Sequence, residues 1–297
     1  MTKNRVLDIS NSDPYIFSKN NNLVLKFDNS NSESIVFSDI AVCVLANPKI
    51  VVTKSALAEL LANNVIVVIC DNNYVPIGMF VPFVENSVQT LRFNAQANLT
   101  VPTKKRLWQQ IVRSKIRSQA GLLVELLGDD FGLQKLSGKV LSGDTSNVEA
   151  QAARIYWDKL FPSDKFSRDR FGPWPNSALN YGYTILRAIM VRAICGSGLH
   201  PTLGLHHHNR YDYFCLADDL MEPLRQLVDR TVMSDYFQMT EGNSLLPEHK
   251  KIIIESLYAN FKFNRRNISL FDVCTTISNS LLQVIMGEDK RLVIPNI

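Results

Sequence analysis

Residues 104–127 read KKRLWQQIVRSKIRSQAGLLVELL. Within this stretch Leu107, Trp108, Ile111, Val112, Ile116 and Ala120 recur at spacings of three and four. Such spacing lays them along one stripe of an α-helix, with the basic residues largely on other faces. Downstream the same period returns over residues 148–161, 177–196, 218–234, 247–261 and 269–286. Upstream the pattern is that of strands. Residues 23–27 alternate, residues 35–37 and 40–45 are apolar and β-branched, and residues 65–70 form a continuous apolar run fit for a buried strand. Asn20, Asn21 and Asn22 before the alternating strand, and residues 28–31 after it, have the chemistry of hairpin turns. One short helix is predicted over residues 53–63, with Thr53 as its cap and Leu57, Leu60 and Leu61 at helical spacing. Residues 71–82 mix turn residues with strand formers. The chain therefore reads as α+β: a β-rich, sandwich-like domain over residues 1–84, a linker over 85–100, and an all-helical domain over 101–297.

A length of 297 residues accommodates two such domains, and 46% hydrophobic with 20% charged residues is the composition of an ordinary globular protein. No apolar run approaches the length that spans a bilayer, so no membrane segment is expected. The polar first ten residues lack the apolar centre of a signal peptide, which predicts no export. Five scattered cysteines, mostly in apolar stretches and with no zinc-site spacing, read as reduced core residues of a cytoplasmic protein. Net charge is +4, from 32 Lys and Arg against 28 Asp and Glu, too mild to require a nucleic-acid partner. Its distribution says more. Lys104, Lys105, Arg106, Arg113, Lys115 and Arg117 crowd one helix with no acid among them, and Arg113 and Arg117 lie one turn apart. Such a run either grips phosphates or is a solvated basic surface. Smaller basic groups are Lys165, Arg168 and Arg170, then Lys262, Arg265 and Arg266.

Four of the five histidines, His200, His206, His207 and His208, fall between residues 200 and 208, and Asp212, Asp218, Asp219 and Glu222 follow. Hard divalent cations take oxygen ligands with an occasional imidazole, so the stretch is a candidate site for magnesium or manganese. A solvated histidine loop and first-turn helix acids are the plain alternatives. Glu149 opens an alanine-rich helix (residues 147–154, NVEAQAAR), where a first-turn acid has the same two readings. Pro223 brings no amide hydrogen to the Asp219 carbonyl, so a helix through this point must kink or restart.

Three stretches in this order, residues 149–156 (EAQAARIY), 198–207 (GLHPTLGLHH) and 216–225 (LADDLMEPLR), resemble the CRISPR-associated integrases of spacer acquisition, the Cas1 family. Residues 180–183 (NYGY) fit as well, and the resemblance spans nearly the whole chain. The DLMEP wording and compact N-terminus are most similar to members from systems with a single large RNA-guided nuclease. Departures are Leu205 where an aromatic is common, His200 where an aspartate is common, and Gln226 where a proline is frequent. The resemblance implies a divalent metal, Mg2+ or Mn2+, held by Glu149, His207 and Glu222, with Asp219 orienting the site. His207 is taken because it lies three residues after Gly204, although spacing alone does not separate it from His206 and His208. Also implied is a DNA endonuclease and integrase that inserts short fragments at the CRISPR repeat by transesterification. Lys104, Lys105, Arg106, Arg113 and Arg117 would then contact backbone phosphates of double-stranded DNA. Expected partners are a second copy through the β-rich domain, the small protein Cas2 in a four-to-two assembly, and the RNA-guided nuclease, all in a prokaryotic cytoplasm. Two other readings stay open from the residues: a metal-dependent hydrolase of small phosphoesters, and a DNA-binding scaffold without catalysis.

Overall fold

The computed structural model describes residues 4–28, 31–72, 76–82, 88–162, 166–169, 172–234, 245–258, 260–263 and 265–295. After β1 (Arg5–Ile9), β2 (Tyr15–Lys19) and β3 (Asn22–Lys26) form a hairpin whose two-residue turn holds Asn20 and Asn21 at φ 48° and 60°. Asparagine tolerates this left-handed region, and two such residues in succession match the twist of the strands they join. β4 (Ser32–Val36), β5 (Ile40–Leu45), β6 (Val51–Val52), α1 (Lys54–Ala62), β7 (Ile66–Cys70) and β8 (Pro76–Phe80) follow. Thr53 caps α1 as expected, its hydroxyl accepting the Ala56 amide at 3.3 Å. One sheet has the order β1-β5-β7-β8, parallel except for β8, and the other the order β4-β3-β2-β6.

All six residues of β5 are buried, and the strand's two-residue period divides them between two cores. Cys43 and Leu45, with Val67 of β7, join Ile16, Leu23 and Leu60 between the sheets. Val42 and Val44, with Ile66 and Val68 of β7, face the other way into the helical core. Sheet one is thus covered on both faces, which explains why β5 and β7 read as continuous apolar runs rather than alternating ones.

The segment expected to join the halves carries α2 (Gln89–Ala97), while residues 85–87 lie outside the described residues. Then come α3 (Val101–Leu127), α4 (Leu133–Ser137), α5 (Val148–Leu160), α6 (Asn176–Gly196), α7 (Cys215–Met221), α8 (Gln226–Val232) and α9 (Pro247–Ser256). β9 (Asn260–Phe263), β10 (Arg266–Ser269) and α10 (Leu270–Ile285) close the described chain. The helical half is therefore interrupted by an antiparallel hairpin, β9 with β10, although the helical period of the sequence runs on to residue 261. Asn-Phe-Lys-Phe alternates with period two, a signal four residues long that the preceding helix pattern overruns. The helix expected over residues 218–234 is likewise broken. α7 stops at Met221, a 3-10 turn covers Glu222–Leu224, and α8 begins at Gln226, the restart that Pro223 demands.

α6 is buried on nearly all sides, as a helix at the centre of a bundle must be. Gly182 lets α8 approach it: a Cβ there would lie 2.4 Å from Val228 Cγ1 and 3.1 Å from Ile253 Cγ2. Gly182→Ala is therefore expected to lower stability by about 1–3 kcal/mol. Urea unfolding checks this as a lower midpoint at unchanged slope.

Candidate active site

Asp219, fully buried on α7, organises the histidine loop. Its Oδ2 accepts the amides of Leu205 and His206 at 2.6 and 2.9 Å. Oδ1 accepts the His207 amide at 3.2 Å and meets His207 Nδ1 at 2.6 Å. The backbone has to fold tightly around the carboxylate, and Gly204 allows it: a Cβ there would lie 2.2 Å from the His207 carbonyl oxygen. Of the three consecutive histidines, His207 is the one whose ring is held by this buried acid. That hydrogen bond raises its pKa above the ordinary histidine value against the opposing effect of burial. His206 stacks flat on Trp108 at 4.2 Å, and burial, helped by the His207 charge, lowers its pKa. Next to Asp219, Asp218 binds the Arg187 guanidinium through both oxygens, at 2.7 and 3.0 Å.

Glu222 stands on the 3-10 turn that Pro223 imposes, and Glu149 on the first turn of α5. Asp144 fixes that turn by accepting the amides of Val148 and Glu149, both at 2.9 Å. The two glutamates meet across Lys115 of α3, whose Nζ lies 2.6 Å from Glu149 Oε1 and 2.7 Å from Glu222 Oε2. Arg225 completes the group, its Nε and a terminal guanidinium nitrogen each 3.0 Å from Glu222 Oε1. Burial acts to raise the Glu222 pKa, but the Arg225 and Lys115 charges outweigh it and pull the carboxyl down to about 2. Conversely, the Glu222 and Glu149 charges raise Lys115 against the effect of its burial.

The four residues thus form two contacts, His207 with Asp219 and Glu149 with Glu222 through Lys115, and the Glu222 charge helps to raise the His207 pKa. Two carboxylates and an imidazole fixed through Nδ1 by an acid are donor chemistry suited to a hard divalent cation. The pocket already places a cationic nitrogen within 2.7 Å of both glutamates, so a positive charge fits there. Among the described residues, however, no three His, Cys, Asp or Glu side chains are drawn close enough to cage an ion, and Lys115 stands between the two glutamates.

The basic run divides. Arg113 donates to the Val140 carbonyl at 2.9 Å, Lys115 turns inward, and Lys104 is half-buried, while Lys105, Arg106 and Arg117 remain exposed. Lys262, Arg265 and Arg266 are exposed on the β9–β10 hairpin, and Lys165 and Arg170 lie outside the described residues. Sequence reasoning missed Lys115 and Arg225 as parts of the site. For Lys115 a signal existed: it lies seven residues after Trp108 and four after Ile111, on the apolar stripe rather than the solvated face.

The family described as CRISPR associated protein Cas1 matches residues 7–240. The CRISPR-associated endonuclease Cas1 of Neisseria meningitidis serogroup C is 35% identical over 273 residues, covering 91% of this chain and 89% of that protein. The same fold occurs in a casposase bound to integration product, with a TM-score of 0.80 at 20% identity over 97% of this chain and 92% of that one. It occurs again in a Cas6-RT-Cas1–Cas2 complex, with a TM-score of 0.78 at 21% identity over 98% of this chain and 36% of that one.

Proposed function

This chain belongs to the Cas1 family, and from that premise we propose that it is the divalent-metal-dependent DNA endonuclease and integrase of CRISPR adaptation. The observation that carries the reading is the convergence of Glu149 and Glu222, from separate elements, on one cationic position beside a histidine anchored by a buried acid. In the reaction a DNA 3′-hydroxyl attacks a phosphodiester at the repeat edge. One P–O bond forms, one breaks, and the departing 3′-oxygen takes up a proton as the attacking hydroxyl loses one. Glu149, His207 and Glu222 would hold Mg2+ or Mn2+, which when bound supplies positive charge against the phosphate and the leaving oxygen.

The chain's own groups prepare that site. Asp219 accepts from His207 Nδ1 and so places the lone pair of the neutral ring on Nε2. Arg225 fixes the Glu222 carboxylate in one orientation. Trp108, itself buried, covers the ring face of His206 and the edge of His207.

Double-stranded DNA is the proposed substrate on both sides of the reaction. Supporting it are the exposed Lys105, Arg106 and Arg117, and a groove lined by Arg168, Arg187, Arg225 and Lys250. We extend the proposal to a homodimer formed through residues 1–84, where edge strand β8 exposes Ile77 and Phe80. Four copies would assemble with two of Cas2, a partnership named for the related complex, and work beside the RNA-guided nuclease in a prokaryotic cytoplasm. No helix among the described residues is long and apolar enough to cross a membrane.

The test incubates the protein with Cas2, Mg2+ or Mn2+, a short duplex and a repeat-bearing plasmid, and scores half-site joining. Joining that needs the ion, stops in EDTA and returns on re-addition supports the reading. Activity surviving thorough chelation excludes it. Binding has its own check. Removing one phosphate-gripping cation reduces the slope of log affinity against log salt by about one. Arg117→Gln is expected to do this for all DNA sequences alike, whereas Arg113→Gln, which gives up the Val140 bond, is expected to lower stability and leave the slope unchanged.

A further inference from the structure

Lys115 belongs to a basic run in which Lys105, Arg106 and Arg117 are exposed, yet its side chain is only 15% exposed. It occupies a position on α3 flanked by Trp108, Ile111, Val112 and Ile116, all buried. Holding an ammonium there takes a charge out of water, a cost that packing alone does not require, while an apolar side chain in its place would leave two carboxylates without this partner. The charge therefore calls for a reason beyond packing, and its partners supply one. Lys115 Nζ touches Glu149 Oε1 at 2.6 Å with hydrogen-bond geometry. It also reaches Glu222 Oε2 at 2.7 Å, so one ammonium draws both carboxylates to a single position. The same ammonium stands between the two glutamates, and no three-donor cage is formed among the described residues.

We infer that Lys115 is a built-in counter-ion, which holds Glu149 and Glu222 together in the metal-free protein and is displaced when a divalent ion enters. This rests on the metal reading above. The exchange balances as one ammonium leaving the two carboxylate oxygens and one divalent ion taking them, with no bond to carbon or phosphorus changed. Lys115 thereby sets the metal affinity below what the two carboxylates would give without it, and in the metal-free protein it neutralises Glu149 and shares Glu222 with Arg225. The displaced ammonium stays tethered to α3, the helix whose exposed side carries Arg117.

The test is isothermal titration of Mn2+ into the full chain, with thermal unfolding in EDTA and in excess Mn2+ as a second readout. Lys115→Met, which keeps the length of the stem, is expected to bind Mn2+ roughly tenfold or more tightly than the unmodified chain. It is also expected to unfold earlier in EDTA and to recover when Mn2+ is added. Lys115→Arg retains a cation and is expected to stay close to the unmodified chain in both readouts. Glu149→Gln separates the metal site from the counter-ion. If it leaves Mn2+ affinity unchanged, the metal reading itself fails and the inference with it. If it weakens Mn2+ binding while Lys115→Met binds no more tightly than the unmodified chain, the counter-ion role alone is overturned. A Lys115→Met protein that stays unfolded even in saturating Mn2+ overturns it too, since the ion is then unable to replace the ammonium.

Discussion

Glu149→Gln, His207→Ala and Glu222→Gln are each expected to lower half-site joining by about 10^3-fold or more. Each removes one proposed metal ligand, and losing about 4 kcal/mol of charge stabilisation at the phosphate corresponds to that factor. Glutamine is the better choice at the acids. Glu222 also pairs with Lys115 and Arg225, so alanine would take a partner from two half-buried cations, leave a hole and confuse folding with chemistry. His206→Ala and His208→Ala are expected to be milder than His207→Ala, because the buried acid holds the ring of His207. Joining rates are read beside DNA affinity and circular dichroism, both expected to hold. Near-full joining by any one of the three variants would remove that residue from the site, and a reversed order among the histidines would reassign the ligand.

Asp219→Ala is expected to produce the second large effect, this time in stability. It strips the acceptor from the amides of Leu205, His206 and His207 and from the His207 ring in one change. The aspartate is fully buried, and deleting one side of such a charged hydrogen-bonded group typically costs about 3–5 kcal/mol. With the ring released, divalent-ion affinity is expected to fall a further 10–100-fold, the usual scale for a group that orients a ligand. Chemical unfolding and metal titration measure the two parts separately. Stability within experimental error of the unmodified protein would show that the loop is held by something other than this carboxylate.

How much of the chain is legible from its residues depends on the range of the forces involved. The strand half is legible because its signals are local: the Asn20–Asn21 turn, the Thr53 cap and the apolar runs of β5 and β7 each act within a few residues. Pro223 is legible for the same reason, since a missing amide acts on its own turn. The β9–β10 hairpin is not, because Phe261 and Ile268 make sense only as a pair across two strands. In the site, family resemblance assembles Glu149, His207, Asp219 and Glu222, and the fold pairs His207 with Asp219 and brings the two glutamates to one ammonium. Composition and spacing do not distinguish Arg113 from Arg117. One carries a bond to Val140, in a loop 27 residues away, and the other carries none there. Lys115 shows the opposite lesson, that a charge on an apolar stripe is itself information.

The two-faced burial of β5 and β7 governs how the molecule comes apart. Detaching the strand half would wet Val42, Val44, Ile66 and Val68, all presently sealed against helices. At about 1.5–3 kcal/mol for each exposed side chain, that amounts to roughly 6–12 kcal/mol, as much as the net stability of many entire domains. The halves are therefore expected to melt in a single cooperative transition, and a truncation near residue 84 to yield a sticky, aggregation-prone fragment in place of a free-standing module.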